Sequence, residues 1–249
     1  MRIVCMVPSW TETLIEAGAD VVGRTRFCIH PRDKVKGIAA IGGTKEWNVE
    51  SLRALRPDLI ILDQEENTKE MGSLKEFPIL STHVRSVHDM PRELKKLAAA
   101  TQLEKLLEFA ARFQKILETP FQPIPLASLP TVKEWIRPIA PKQKIEQIIY
   151  VIWKNPWMAV SQQTYIGSLL ELFVGQHIVL KTDVPYPQVS FQNLNEDSTL
   201  LLFSTEPFPF EKQIAELGKL GFPSAIVDGE KWSWFGLRSL RFLETNHSL

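Results

Sequence analysis

Cysteine is almost missing: the 249 residues hold two, Cys5 and Cys28. Two thiols are too few for a disulfide framework or a structural zinc site. Net charge is missing as well. Twenty-nine Lys and Arg balance 29 Asp and Glu, so no electrostatic excess marks the chain for nucleic acid or an anionic membrane surface. No apolar run approaches the roughly 20 residues that cross a bilayer, so membrane insertion is not expected. The first apolar stretch, IVCMV, is too short for a signal-peptide core, and no small-residue cleavage site follows it. If Met1 is the native start, a cytoplasmic protein is expected. If a leader has been removed, the expectation becomes a periplasmic or extracellular one. Catalytic signatures are also absent. There is no G-x-S-x-G and no H-E-x-x-H, and where a dinucleotide fold would carry G-x-G-x-x-G the chain reads PSWTE. No enzyme is expected.

What is present is an alternation of strand and helix. IVCMV reads as a strand. Pro8 ends it by withholding a backbone N–H, and a helix follows, capped by Ser9 or Thr11 with Glu12 as capping-box partner and stopped by Gly18. VVGRTRF, LIILD and PILST read as further strands, with helices over NVESLRALRPD and TKEMGSLKEF. This βαβα pattern predicts a parallel sheet covered by helices over residues 1–88. Residues 89–118 carry no glycine and repeat leucines at helical spacing, which predicts one long helix between two lobes. Six prolines within 119–143 predict an irregular excursion, with at most one turn at TVKEW. Alternation resumes over 144–249, with strands at QIIYVIW, HIVL, STLLLFS and SAIVD and helices at TYIGSLLELFVG, EKQIAELGKLG and GLRSLRFLETN. The fold class expected is therefore α/β, with two Rossmann-like lobes joined by a helix.

In open parallel sheets ligands collect outside the carboxyl ends of the strands, and several unusual residues fall at such corners. Pro8 and Trp10 stand where the first strand meets the first helix. In FCIHP, Cys28 and His30 are two apart on an extended segment and share a side. Each is a good metal ligand, yet two do not make a protein-only metal site. A metal that arrives chelated needs a single axial donor, and either residue suits. IGGTKEW contributes Gly42, Gly43 and Thr44, where backbone can approach a ligand closely, and the flat ring of Trp47. Glu65 in DQEEN ends the next strand. In the second half, Trp157 and Met158 follow the Asn155–Pro156 corner, and Glu206 precedes two prolines in STEPFPF. Trp232, Trp234 and Arg238 crowd DGEKWSWFGLRSL. Flat rings suit a tetrapyrrole or corrin face, and an arginine suits its carboxamide or propionate rim. One of the two tryptophans is expected to plug the lobe core. His83, His88 and His177 stand in separate contexts and receive no role.

The opening RIVCMVPSWTETLIEAGA resembles that of the helical-backbone metal receptors, the family of vitamin B12, haem and iron-siderophore binding proteins. FCIHP, IGGTKEWNVESLRALRPDLIILDQEEN, VIWKNPWMAVSQQTYIGSLLEL, YPQVSF, STEPFPF and DGEKWSWFGLRSL resemble, in order, segments of its vitamin B12-receptor-like branch. The resemblance implies two α/β lobes on a rigid helix, with ligand in the cleft between them. It implies binding of a corrinoid (cobalamin or cobinamide), haem or a ferric chelate, with no intrinsic cofactor. It further implies a monomer that, if exported, serves the permease of an ABC transporter, onto whose arginines acidic groups near the lobe tips dock.

Overall fold

A computed structural model describes residues 1–175 and 179–247. They form two compact units, one made of Met1–Thr119 with Trp234–Glu244, the other of Pro120–Ser233 with the chain from Thr245 onward.

The first unit is built on β1 (Arg2–Cys5), β2 (Asp20–Arg24), β3 (Ala39–Ala40), β4 (Leu59–Asp63) and β5 (Ile79–Thr82), all parallel and ordered β3-β2-β1-β4-β5. LIILD is buried along its whole length, as a central parallel strand covered on both faces must be. The first helix, α1 (Pro8–Glu16), starts one residue before the expected caps. Val7 is its N-cap, no side chain caps it, and Pro8 takes the first-turn position where a missing N–H costs nothing. Ser9, Thr11 and Glu12 are consequently inside the helix and buried. Asn48 caps α2 (Val49–Leu55) through a 2.7 Å bond from Ser51 N–H, as expected. TKEMGSLKEF keeps only one turn, α3 (Lys69–Gly72).

The single helix expected over 89–118 is two, α4 (Met90–Thr101) and α5 (Glu104–Glu118). Gln102 between them adopts a left-handed conformation with φ 59°, and its N–H closes α4 on Ala98 O. The leucine spacing continues through the break, because the two helices pack against each other and each keeps one apolar face buried in the same unit. Their buried residues, among them Leu94, Leu97, Leu106 and Phe113, belong to the first unit.

The second unit holds β6 (Val132–Arg137), β7 (Gln147–Trp153), β8 (Met158–Val160), β9 (Thr199–Ser204) and β10 (Ser224–Val227), ordered β6-β10-β9-β7-β8. The three central strands are parallel and the two edge strands antiparallel to them. β6 contains VKEW of the TVKEW stretch, so the proline-rich segment supplies an edge strand where only a turn was expected. Lys133, Glu134 and Arg137 are exposed along it, a charge pattern that discourages further pairing. Thr164 caps α6 (Tyr165–Val174) by accepting from Gly167 N–H at 3.0 Å. EKQIAELGKLG is a short α7 (Ile214–Leu217) flanked by 3-10 turns. Of the expected HIVL strand, Val179 makes one parallel bridge to Ile148. His177 lies outside the described residues.

DGEKWS is itself helical, α8 (Gly229–Ser233), and α9 (Leu237–Asn246) follows. Through Glu244, α9 packs with the first unit although its sequence neighbours lie in the second. The joint is closely fitted. Leu237 N–H donates to Thr13 Oγ1 at 3.0 Å, and Gly236 has φ +77° with Thr13 Oγ1 where a Cβ would stand. Only glycine fits there.

Candidate functional site

At the carboxyl edge of the first sheet a chain of hydrogen bonds fixes the loops. Trp10 Nε1–H donates to Thr82 Oγ1 at 2.8 Å, and the Thr82 hydroxyl donates to Asp63 Oδ2 at 2.6 Å. Asp63 also accepts from Val84 N–H at 3.1 Å and Glu65 N–H at 3.0 Å. Burial pushes its carboxyl above the ordinary aspartate range, against the pull of those donors. Asn67 joins three loops. Its amide donates to Met6 O at 3.1 Å and Thr44 O at 2.7 Å, while its Oδ1 accepts from Asp63 N–H at 2.8 Å. Trp10 is thus wholly buried, packed edge-on against Phe235 at 4.9 Å, and Pro8 is half-buried beside it. The question of what a tryptophan does at this corner has a structural answer: it locks the start of α1 to the end of β5.

Alternation in FCIHP works as its spacing implies. Cys28 is buried and His30 half-buried, while Phe27 and Ile29, 48% and 44% exposed, point the other way. Cys28 Sγ lies 3.1 Å from both the Thr11 and Thr25 hydroxyls. Burial raises its thiol, as it raises Cys5 to about 12, so neither is poised as a thiolate ligand. His30 packs edge-on against Trp234 with centroids 5.2 Å apart. Among the described residues no group of three or more His, Cys, Asp or Glu could hold a metal ion.

Gly42 and Gly43 serve the loop's own fold. Gly42, at φ +155°, bridges to Trp47 and has Glu46 O where a Cβ would be, and Gly43 faces the Arg26 guanidinium. Thr44 is half-buried, its carbonyl taken by Asn67. Trp47 is half-buried against the core around Val4, Met6 and Leu52. Glu65 Oε1 accepts from His83 Nε2–H at 3.0 Å, and the Glu65 carbonyl accepts from Lys45 Nζ at 3.0 Å. Trp234 is 8% exposed. Arg238 holds Glu12 by two bonds of 2.9 and 3.0 Å, with its guanidinium 5.1 Å from the Trp234 ring centroid. Glu12 therefore acts as an ion-pair partner and not as a capping-box residue.

The carboxyl edge of the second sheet is aromatic. Trp153, at the end of β7, is 42% exposed and meets Phe208 at 5.5 Å. Trp157 is half-buried, stacked on Phe210 with planes 12° apart, and Met158 beside it is half-buried on β8. The Asn155–Pro156 corner is thus a hairpin and not a strand-to-helix turn. Glu206, half-buried, accepts from Ser233 Oγ at 2.8 Å. Trp232 is wholly buried and donates to Thr131 Oγ1 at 2.7 Å, so it is the core plug that was expected.

Sequence reasoning passed over Asn67, Phe27, Ile29 and Trp153. The alternation in FCIHP was enough to put Phe27 and Ile29 on the face opposite Cys28. Asn67 left no local signal, since its partners are 61 and 23 residues away.

Two α/β units with parallel-dominated sheets are the fold of the periplasmic solute-binding proteins. Haem-complexed IsdE of S. aureus superposes with a TM-score of 0.73 at 17% identity, covering 98% of this chain and 96% of that one. A sequence relative and another solved structure are vitamin B12-binding proteins. The sequence is 22% identical over 211 residues to the vitamin B12-binding protein of Vibrio cholerae, across 82% of this chain and 70% of that protein. Periplasmic BtuF of Vibrio cholerae, also a vitamin B12-binding protein, superposes with a TM-score of 0.69 at 18% identity over 98% of this chain and 94% of its own. No family model matches the chain. The resemblance read from the sequence thus holds in the fold, and these relatives are binding proteins, not enzymes. No helix among the described residues is long and apolar enough to cross a membrane.

Proposed function

We propose that the chain is a solute-binding protein for a metal chelate, and that the chelate is a corrinoid, cobalamin or cobinamide. The observation that carries this is the pairing of a vitamin B12-binding sequence relative with exposed apolar groups at both carboxyl edges: Phe27 and Ile29 on the first unit, Trp153 on the second. Such groups suit a large flat ligand with apolar faces. Exposed or half-buried polar groups on the same edges, Lys45, Glu65 and Glu206, suit its amide rim. The chelate brings its own metal and asks the protein for at most one axial donor. An exported form would hand the ligand to an ABC permease.

His30 favours haem as the second reading. It is half-buried between the exposed Phe27–Ile29 turn and Trp234, where an imidazole can serve as axial ligand to an incoming iron.

A titration separates the readings. Cobalamin, cobinamide, haem and ferric chelates all absorb where tryptophan emits, and the chain has seven tryptophans. The true ligand should quench emission saturably at a stoichiometry near one. At a hundredfold excess over Kd it should stabilise the native state by ~2.7 kcal/mol. His30→Ala should abolish a haem Soret shift and leave corrinoid binding intact. A panel in which nothing saturates the quenching or moves the melting midpoint would sink the receptor reading and favour a protein-interaction role for the same fold.

A further inference from the structure

At the end of the second sheet opposite Trp153, the amino ends of β7, β9 and β10 open on a cavity that the proposed function does not use. Its volume is about 630 Å³, and its walls come from three loops, 137–146, 195–198 and 221–223. Hydrogen bonds hold these loops in one frame. Ala140 N–H donates to Gln143 Oε1 at 2.9 Å, and Gln143 Nε2–H donates to Asp197 O at 2.9 Å. Glu146 N–H donates to Ser198 O at 2.8 Å, and Arg137 Nη1–H donates to Gly221 O.

Three cations and three carboxylates line the cavity: Arg137, Lys142 and Lys144 against Glu146, Glu196 and Asp197. Lys144 pairs with Glu146 at 3.4 Å. The charged groups of Lys142, Glu196 and Asp197 have no polar partner among the described residues, and Arg137 uses one of its five donors on Gly221. All four side chains are exposed, so each is open to a ligand. Gly221 gathers two of them. At φ +87° it has no Cβ, and the Glu196 carboxylate takes the space, with Oε2 2.6 Å from where a Cβ would stand. The Arg137 guanidinium holds the carbonyl of the same residue. A carboxylate and a guanidinium thus rest on one glycine without pairing with each other.

We propose that this cavity binds a free α-amino acid, its carboxylate on Arg137 and its ammonium on Glu196. The class follows from the two signs of charge. An anion alone would meet Glu196 and Asp197, and a cation alone would meet Arg137 and Lys142, each a like-charge contact that disfavours binding. A zwitterion satisfies both. In an α-amino acid a single carbon separates the two charges, which suits groups gathered on one residue. The guanidinium fork matches a carboxylate through two parallel bonds, and the ammonium has donors for Glu196. Lys142 and Asp197 then offer the ligand's side chain one donor group and one acceptor group, which suits an amide. The loops are already tied together, so little ordering opposes binding.

Calorimetry on the whole protein tests this with three probes: L-glutamine, N-acetyl-L-glutamine, which lacks the ammonium, and L-glutaminamide, which lacks the carboxylate. L-Glutamine should bind saturably at a stoichiometry near one. Each analogue should bind about tenfold more weakly, as expected for one lost charge-assisted contact. Arg137→Gln should erase the advantage of glutamine over glutaminamide, and Glu196→Gln its advantage over the acetylated analogue. Equal affinities for the three probes in the native protein, or no saturable heat from any of them, would overturn the proposal. So would a variant whose loss falls equally on all three probes, the mark of a residue that does not meet the charge assigned to it. The comparison of probes needs no variant, so it stands whether or not either substitution disturbs the loops. No chelate enters these measurements, so their outcome is separate from that of the receptor titration.

Discussion

The carboxyl edges of the two sheets are closed by different chemistry. On the first unit, donors converge on a buried carboxylate: Trp10 to Thr82 to Asp63, with Asn67 tying in the β1 and β3 loops. On the second, rings stack: Phe210 lies against Trp157, Phe203 and Phe208, with Trp153 outermost. A hydrogen-bond network is directional, and removing one member strands the others. Ring packing is less directional, and it weakens with the volume taken away. The first edge is therefore built to hold loop backbone in one place, and the second to present a ring surface.

The largest expected effect comes from breaking the first edge at its centre. Asp63→Ala strands the Thr82 hydroxyl and two backbone N–H groups, and should cost about 4 kcal/mol of stability at neutral pH, measured by urea unfolding. The native carboxyl is raised, so the folded state holds its proton at a pH where the unfolded chain has lost it. Stability from this group falls as pH rises through the window above the ordinary aspartate value, and grows on acidification through it. The gap between native protein and variant should widen accordingly, and a gap that narrows would mean the carboxylate form is the favoured one. Phe210→Leu tests the second edge at a wholly buried ring. It keeps an apolar side chain and should cost only about 1–2 kcal/mol. A loss equal to that of Asp63→Ala would erase the proposed contrast. Trp153→Ala, at an exposed ring, should change stability by less than ~0.5 kcal/mol, while weakening chelate binding in the fluorescence titration. A variant that binds as tightly as the native protein would remove Trp153 from the ligand surface.

The βα alternation and the central strands were readable because buried parallel strands leave uninterrupted apolar runs, as LIILD does. The break at Gln102 was not. No glycine or proline marks it, and a left-handed glutamine leaves the leucine spacing undisturbed. β6 was hidden by the prolines around it, although an edge strand tolerates such neighbours. At the site, tryptophan at a strand end drew attention correctly but for the wrong reason. Trp10 and Trp232 each bury the ring and satisfy the indole N–H on a threonine, Thr82 and Thr131. Those partners lie 72 and 101 residues away, beyond any local pattern. Arg238 likewise looked like a ligand clamp, yet two of its bonds go to Glu12, 226 residues distant.

The seat of α9 against Thr13 also bears on how the protein is made. The first unit's sheet is complete by residue 82, yet its last helix arrives only after the whole segment 120–233. At ~5–20 residues per second, a ribosome takes on the order of ten seconds to cross that gap. Throughout it Thr13 and the carboxylate of Glu12 lack the partners that α9 brings, and the surface that will receive Leu237, Leu240 and Leu243 stays open. A nascent chain in this state is a natural client for a chaperone, and a truncation before residue 234 should leave that face permanently sticky.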